Sequence, residues 1–305
     1  SAVDTARARS LGDVRWPAIY GDAELQRLIA RALNENYDVQ IAAARILQAR
    51  AQLGITRADQ FPEVTAGALA QREKTPAQQL GAFQVQKFTI NTFRLDALAT
   101  WEVDFWGKFR NATDAQRANL LGTQWAARGV LVSVVGLVAQ EYFTLRELDL
   151  ALDIARRNLT ARQESLNLTR TLERGGAASM LDVREAEVLV FTAQTVITDT
   201  ERLIVQQENA ISILLGQNPG PIPRGLPLVD QPEPPEVPAG LPSTVLERRP
   251  DIRQADQALI AANAQIGVAK AAFFPSIALT ATGGVQSNPL SQLFTAPATL
   301  LSVAA

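Results

Sequence analysis

The 305-residue chain has no cysteine and no histidine. Those absences remove disulfides, thiol chemistry, and the imidazole used in most general-base and zinc sites. One methionine, Met180, cannot build a thioether metal relay. Excess charge of one sign is missing too. With 29 basic and 31 acidic residues the net charge is −2, which gives no electrostatic footprint for nucleic acid. No uninterrupted apolar run reaches the ~18 residues of a membrane-spanning helix, and the longest, 129–139, lies inside a heptad pattern. The sequence opens at Ser1 without a basic-then-apolar segment, so any export signal is expected to have been removed or never present. A membrane role would have to come from strands, whose alternation hides them from hydropathy.

What is present is dominated by 108–216, which reads as two long helices folded back at Arg174-Gly-Gly-Ala-Ala-Ser179. In the first arm Leu131, Val138, Leu145, Leu152, Leu159 and Leu166 recur every seven residues. In the second, Val183, Val190, Ile197, Ile204 and Ile211 do the same, and no proline interrupts either arm. A seven-residue apolar repeat keeps one seam facing a partner helix if the two wind round each other left-handedly. At 1.5 Å per residue the arms would be about 100 Å and about 55 Å long. A soluble spectrin-like bundle would show the same heptads.

Ahead of this rod, 1–21 lack periodicity and read as an extended arm. Asp22 can cap a helix over 23–34 that ends at Asn36, and Asp38 can cap an alanine-rich helix over 39–59 stopped by Phe61-Pro62. Period-two alternation then takes over. Odd positions from Phe93 to Phe105 are apolar or small, while the even ones are polar except for Leu98. Residues 63–73 repeat the pattern weakly, and 74–87, with Pro76 and Gly81, read as a loop between them. Together they make a long hairpin, which could equally be the edge of a soluble sheet. After the rod, nine of the sixteen prolines fall within 217–242, which excludes helix and central strand and reads as an extended connector.

The chain then repeats itself. Moved by 213 residues, 38–62 meets 251–275 without a gap and with nine identities, among them Gly54 with Gly267 and Phe61-Pro62 with Phe274-Pro275. Chance would give about one or two. Ile277, Leu279, Ala281, Gly283 and Val285 then start another strand. A second unit should continue with a long strand and another helical hairpin, and the sequence is expected to stop before either. Seven segments follow: 1–38 arm and short helix, 39–62 first-repeat helix, 63–106 first hairpin, 107–216 helical hairpin with its tip at 174–182, 217–242 connector, 243–275 second-repeat helices, and 276–305 start of the second hairpin.

Candidate chemistry is thin. Glu102 and Asp104, two apart on one strand face, resemble a glycosidase carboxylate pair, but polar positions of an amphipathic strand explain them without catalysis. Gly175-Gly176 is not followed by the Lys-Ser/Thr of a phosphate loop.

The spacing and motifs together resemble the TolC/OprM-type outer-membrane efflux proteins, in particular their NodT-like lipoprotein branch. The residues that carry the resemblance are Leu28-Ile29-x-x-Ala32-Leu33-x-x-Asn36-x-Asp38, Gln52-Leu53-Gly54 leading to Phe61-Pro62, and Trp101-Glu-Val-Asp-Phe-Trp-Gly-Lys108. To these add Gly176-Ala-Ala-Ser179-x-Leu181-Asp182-Val183, Leu214-Leu-Gly216, and Leu241-Pro-Ser243 followed by Arg248-Arg-Pro-Asp-Ile-Arg253.

The resemblance implies a mainly α fold with long β-hairpins, made of two tandem repeats. It implies a homotrimer with an α-helical tunnel across the periplasm and a β-barrel shared in outer-membrane lipid. Gly176, Ala177, Ala178, Ser179, Leu181 and Asp182 would form a tip that docks the periplasmic adaptor of an inner-membrane resistance–nodulation–division transporter. Arg94, Asp96, Thr100, Glu102 and Asp104 would face the barrel lumen, and Phe93, Leu95, Trp101 and Phe105 the lipid. The branch carries an acylated cysteine at its mature start; here any such anchor would lie upstream of Ser1, and gate residues would lie beyond Ala305. The implied function is a passive exit duct for small molecules such as drugs, with no catalysis, cofactor, metal or nucleic acid. A type I protein-secretion channel and a soluble coiled-coil scaffold are the alternatives.

Overall fold

The computed structural model describes residues 16–75, 78–80, 83–85, 88–233 and 247–305. The chain divides into two units, one of 1–46 with 123–254 and the other of 47–122 with 255–305.

The first unit is helical. Helix α1 (Ala23–Glu35) turns Leu25, Leu28, Ile29 and Ala32 to one side, and all four are buried. They pack with Val134, Val138, Tyr142 and Leu145 of α3 (Lys108–Arg174) and with Ile204 and Ile211 of α4 (Met180–Leu214). Nearer the tip the heptad seam continues as a second cluster of Leu166, Val183 and Val190, flanked by Leu159. Leu131 departs from the expected seam, being 38% exposed. The cause is length. Gln207 already bonds the Glu141 carbonyl, so α4, ending at Leu214, stops before it can cover a residue that far back along α3.

Both ends of α4 have a specific stop. At Gly216 (φ +65°) the N–H groups of Gly216 and Gln217 donate back to Ile213 and Ser212, closing the helix with a left-handed residue. The proline-rich strap that follows is docked over its described part rather than loosely extended, with a 3-10 turn at Leu228–Asp230; residues 234–242 of the expected connector lie outside the described residues. Helix α2 (Tyr37–Ala58) is capped by Asn36, not by Asp38. The Asn36 Oδ1 accepts the N–H groups of Asp38 and Val39 at 2.8 and 3.3 Å, because the break between α1 and α2 is a single residue. Its amide also donates to the Leu214 carbonyl.

The second unit holds the sheet. Strands β1 (Glu63–Thr75), β4 (Phe88–Glu102), β5 (Ala278–Ser287) and β6 (Thr299–Ala304) lie in that order, every neighbouring pair antiparallel. A separate short pair, β2 (Gln78–Leu80) and β3 (Phe83–Val85), occupies part of the expected loop, whose residues 76–77, 81–82 and 86–87 lie outside the described set. The internal repeat is visible in the helices: α5 (Pro250–Ala271) has the bounds of α2 moved by 213. Strand β6 corrects the expectation that the chain stops before the second strand of the second hairpin.

Strand β4 also differs from the expected 93–105. It starts five residues earlier and ends at Glu102. Beyond it, Val103 donates to Ile277, the Asp104 carboxylate accepts the Arg110 N–H, and Gly107 takes φ +77° to start α3. Indole groups tie down the junctions: Trp101 donates to the Gln60 carbonyl at 3.1 Å, and Trp106 to the Pro275 carbonyl at 3.0 Å while stacking on Phe274. Each thus secures the helix-to-strand passage of one repeat.

Among the described residues, α3 contains one 18-residue window long and apolar enough by composition to cross a membrane, which corrects the sequence expectation, and little of that window is buried.

Candidate functional site

The tip forms where α3 and α4 reverse. Gly176, at φ +75°, lets its own N–H reach the Glu173 carbonyl (2.9 Å) and the Ala177 N–H reach Leu172 (2.8 Å). That pair of bonds is the left-handed stop that glycine makes without a Cβ penalty. Three residues later Ser179 opens α4 through a reciprocal capping box: Asp182 N–H donates to the Ser179 Oγ (3.2 Å), and Ser179 N–H to the Asp182 carboxylate (2.7 Å). Bonds from the Ser179 hydroxyl and backbone hold the Asp182 carboxyl below its ordinary range. The structure therefore brings all six sequence-selected tip residues into one turn, with Leu181 66% exposed. Met180 was overlooked because a lone methionine carries no periodic signal; it is exposed beside Leu181. Below the turn, Glu187 on α4 pairs with Arg170 of α3 (2.8 Å) and with Arg184 (2.7 Å), and both pairs depress its carboxyl.

The sheet has two unlike faces. Residues directly opposite in an antiparallel ladder share a face. The register therefore puts Val64, Ala66, Ala68 and Ala70 beside Phe93, Leu95, Ala97, Ala99 and Trp101. The same face continues through Leu279, Ala281, Gly283 and Val285 to Leu301 and Val303. Val64, Leu301 and Val303 are each more than two-thirds exposed. On β4 this band runs from Phe93 to Trp101, at the short end of the roughly 9–11 residues needed to cross a bilayer at a tilt; on β1 it gives way to Arg72 and Lys74.

The opposite face carries Arg94, Asp96, Thr100 and Glu102, with Thr65, Thr280, Thr282 and Gln286 as neighbours. Leu69 and Leu98 interrupt it. Arg94 and Asp96 pair at 2.9 Å. Two sequence assignments fail here. Asp104 and Phe105 lie beyond the strand end, so neither belongs to a sheet face. Glu102 and Asp104 are not a free catalytic pair either, since Lys108 and Arg110 hold them separately.

Nothing in the sequence pointed to a third cluster, in the helical unit. The Asp22 carboxylate is 1% exposed and accepts five bonds: the N–H groups of Glu24 and Leu25, the Tyr142 hydroxyl (2.7 Å), Leu226 N–H (2.9 Å) and the Gln231 amide (2.9 Å). Burial would raise its pKa, but the bonds from Gln231, Tyr142, Glu24 and Leu226 outweigh it and lower it. Burial first, then Asp22, pushes Tyr142 up to about 12. Beside this knot Arg146 and Arg224 share Asp149, and Arg224 also pairs with Glu208. The strap is thus held at two polar anchor points. Asp22 was legible only as a helix cap, because its partners lie 120 to 209 residues away.

A hairpin tip with an exposed apolar edge and an amphipathic antiparallel sheet can serve docking and membrane insertion. Among the described residues there is no acidic, histidine or cysteine group able to hold a metal ion. The outer membrane efflux protein family model matches residues 28–217 and 241–305. The chain belongs to that family. It is 38% identical over 282 residues to the toluene efflux pump outer membrane protein TtgC of Pseudomonas putida, a match covering 92% of this chain and 57% of TtgC. The cation efflux system protein CusC of Escherichia coli is 34% identical over 282 residues, covering 92% and 60%.

Among solved structures, crystal structures of CusC match with a TM-score of 0.85 at 31% identity, covering 98% of this chain and 68% of that one. A membrane protein from Pseudomonas aeruginosa gives 0.84 at 32%, covering 98% and 70%. The chain therefore has the TolC-like fold, and it spans 57% of the length of TtgC and 60% of that of the curated CusC relative.

Proposed function

We propose that this efflux protein is part of the passive outer-membrane exit duct of a tripartite pump of the resistance–nodulation–division type, passing small molecules. In that reading the four strands are one protomer's share of a barrel closed by three copies, since an open sheet edge is not tolerated in lipid. The observation that carries it is the two-faced sheet: one face is almost wholly apolar and uncovered, while the other holds Arg94, Asp96, Thr100 and Glu102. Lipid suits the first face and a water-filled lumen the second. Exposed Tyr37, Ile41, Leu47 and Ile55 on α2 support burial against further copies. The tip residues 176–182 would dock the periplasmic adaptor, and the pump partner would supply the energy. Efflux is favoured over protein secretion because toluene and cation efflux name the relatives.

The test is fractionation and reconstitution of the full-length protein. It should need detergent for extraction and should conduct ions in a planar bilayer; a protein that stays soluble without detergent would leave only the scaffold reading. Selectivity probes the lumen assignment. Replacing Asp96 and Glu102 together by lysine removes two negative charges and adds two positive ones. The cation-to-anion permeability ratio should fall severalfold, and more at low ionic strength because salt screens fixed charge. An unchanged ratio would place that face away from the ion path.

A further inference from the structure

We infer that the free edge of β1 pairs with the free edge of β6 from a second copy in one particular register, with Gln71 opposite Ala304 and Glu73 opposite Ser302. The inference rests on the barrel reading above and adds to it which residues meet. It comes from applying the chain's own repeat to contacts already in the structure.

Strand β5 is the second-repeat counterpart of β1, 213 residues on, so Gly67 corresponds to Thr280. Gly67 lies opposite Asp96, and Thr280 lies opposite Ala304. Ala304 therefore stands in the second repeat where Asp96 stands in the first, and Ser302 where Arg94 stands. Within the chain the first repeat joins the second by pairing β4 with β5, Asp96 opposite Gly284 and Arg94 opposite Gln286. The equivalent junction joins β6 to the β1 of another copy. Gly284 and Gln286 correspond to Gln71 and Glu73, which gives the register.

Face parity is an independent check, because a one-residue slip would put side chains on opposite sides. Glu73 and Gln71 share the face of Arg94, and so do Ser302 and Ala304. The derived register keeps the apolar face continuous in side from one copy to the next.

The experiment uses paired cysteines in the full-length protein in outer-membrane vesicles, with oligomeric state measured in parallel. E73C with S302C, and Q71C with A304C, should oxidise to covalent dimers and trimers in most molecules. The mismatched pairs E73C with A304C and Q71C with S302C should not. Directly opposed Cβ atoms approach the roughly 3.8 Å that a disulfide needs, while diagonal neighbours stay about 7–8 Å apart. A trimer whose crosslinks follow the mismatched pairs, or that gives none, overturns the register and leaves the barrel reading standing. A protein that is monomeric and gives no intermolecular disulfide overturns both.

Discussion

Replacing Asp22 with alanine should destabilise the helical unit by roughly 3–5 kcal/mol, the range for leaving buried, strongly bonded partners unpaired. The substitution leaves the Tyr142 O–H and the Leu226 N–H without their acceptor, takes one of the two acceptors of the Gln231 amide, and removes the cap of α1. Gly225→Ala offers a second route to the same loss, since a Cβ there runs into the Asp22 carboxylate. Thermal unfolding followed by circular dichroism, with limited proteolysis of the strap, would measure both. A melting temperature unchanged in both variants would show that the knot contributes no net stability.

The pH dependence follows from the same group. Its folded pKa lies below the ordinary carboxylate value, so it contributes stability that is fully present above the unfolded pKa of about 3.9 and is lost as pH falls through the depressed folded value. Asp22→Asn, which keeps a cap but brings an amide donor against other donors, should flatten that acid limb. A limb identical to that of the parent would assign it to other carboxylates.

At the other end of the unit, Leu181→Asp combined with Met180→Asp should weaken adaptor binding tenfold or more, the scale of losing about 1.4 kcal/mol or more at an interface hot spot. Both side chains are more than half exposed, so neither supports the fold, and the oligomer should stay intact. Gly176→Val tests the turn separately. A β-branched residue at φ +75° is strained whatever the space around it, so this variant should disturb the tip's geometry as well as its surface. Crosslinking to the adaptor, drug susceptibility and oligomer size are the readouts. Normal crosslinking in the double variant would remove the tip from the docking surface.

Local pattern carried much of this protein. The heptads over 131–211 found both arms of the rod, and α3 and α4 end within a residue or two of where glycine, Ser179 and Gly216 placed the turns. Alternation found β4 but overran its end, because Val103 and Phe105 continue the period while the chain has already left the ladder. Period records where a side chain would point if the strand continued; it does not record where a backbone bond to Ile277 and a capping carboxylate stop it.

Composition and spacing alone therefore determined the helical hairpin, its turn, the two-faced strands and the duplication, since each is a property of neighbours along the chain. Tertiary structure alone decided the Asp22–Tyr142 knot, the docking of the strap, the order β1-β4-β5-β6 and the loss of Glu102 and Asp104 to ion pairs. These join residues far apart in sequence or separated by a turn of unknown direction. Which donor reaches which buried acceptor then depends on how the backbone returns, and no local period encodes that.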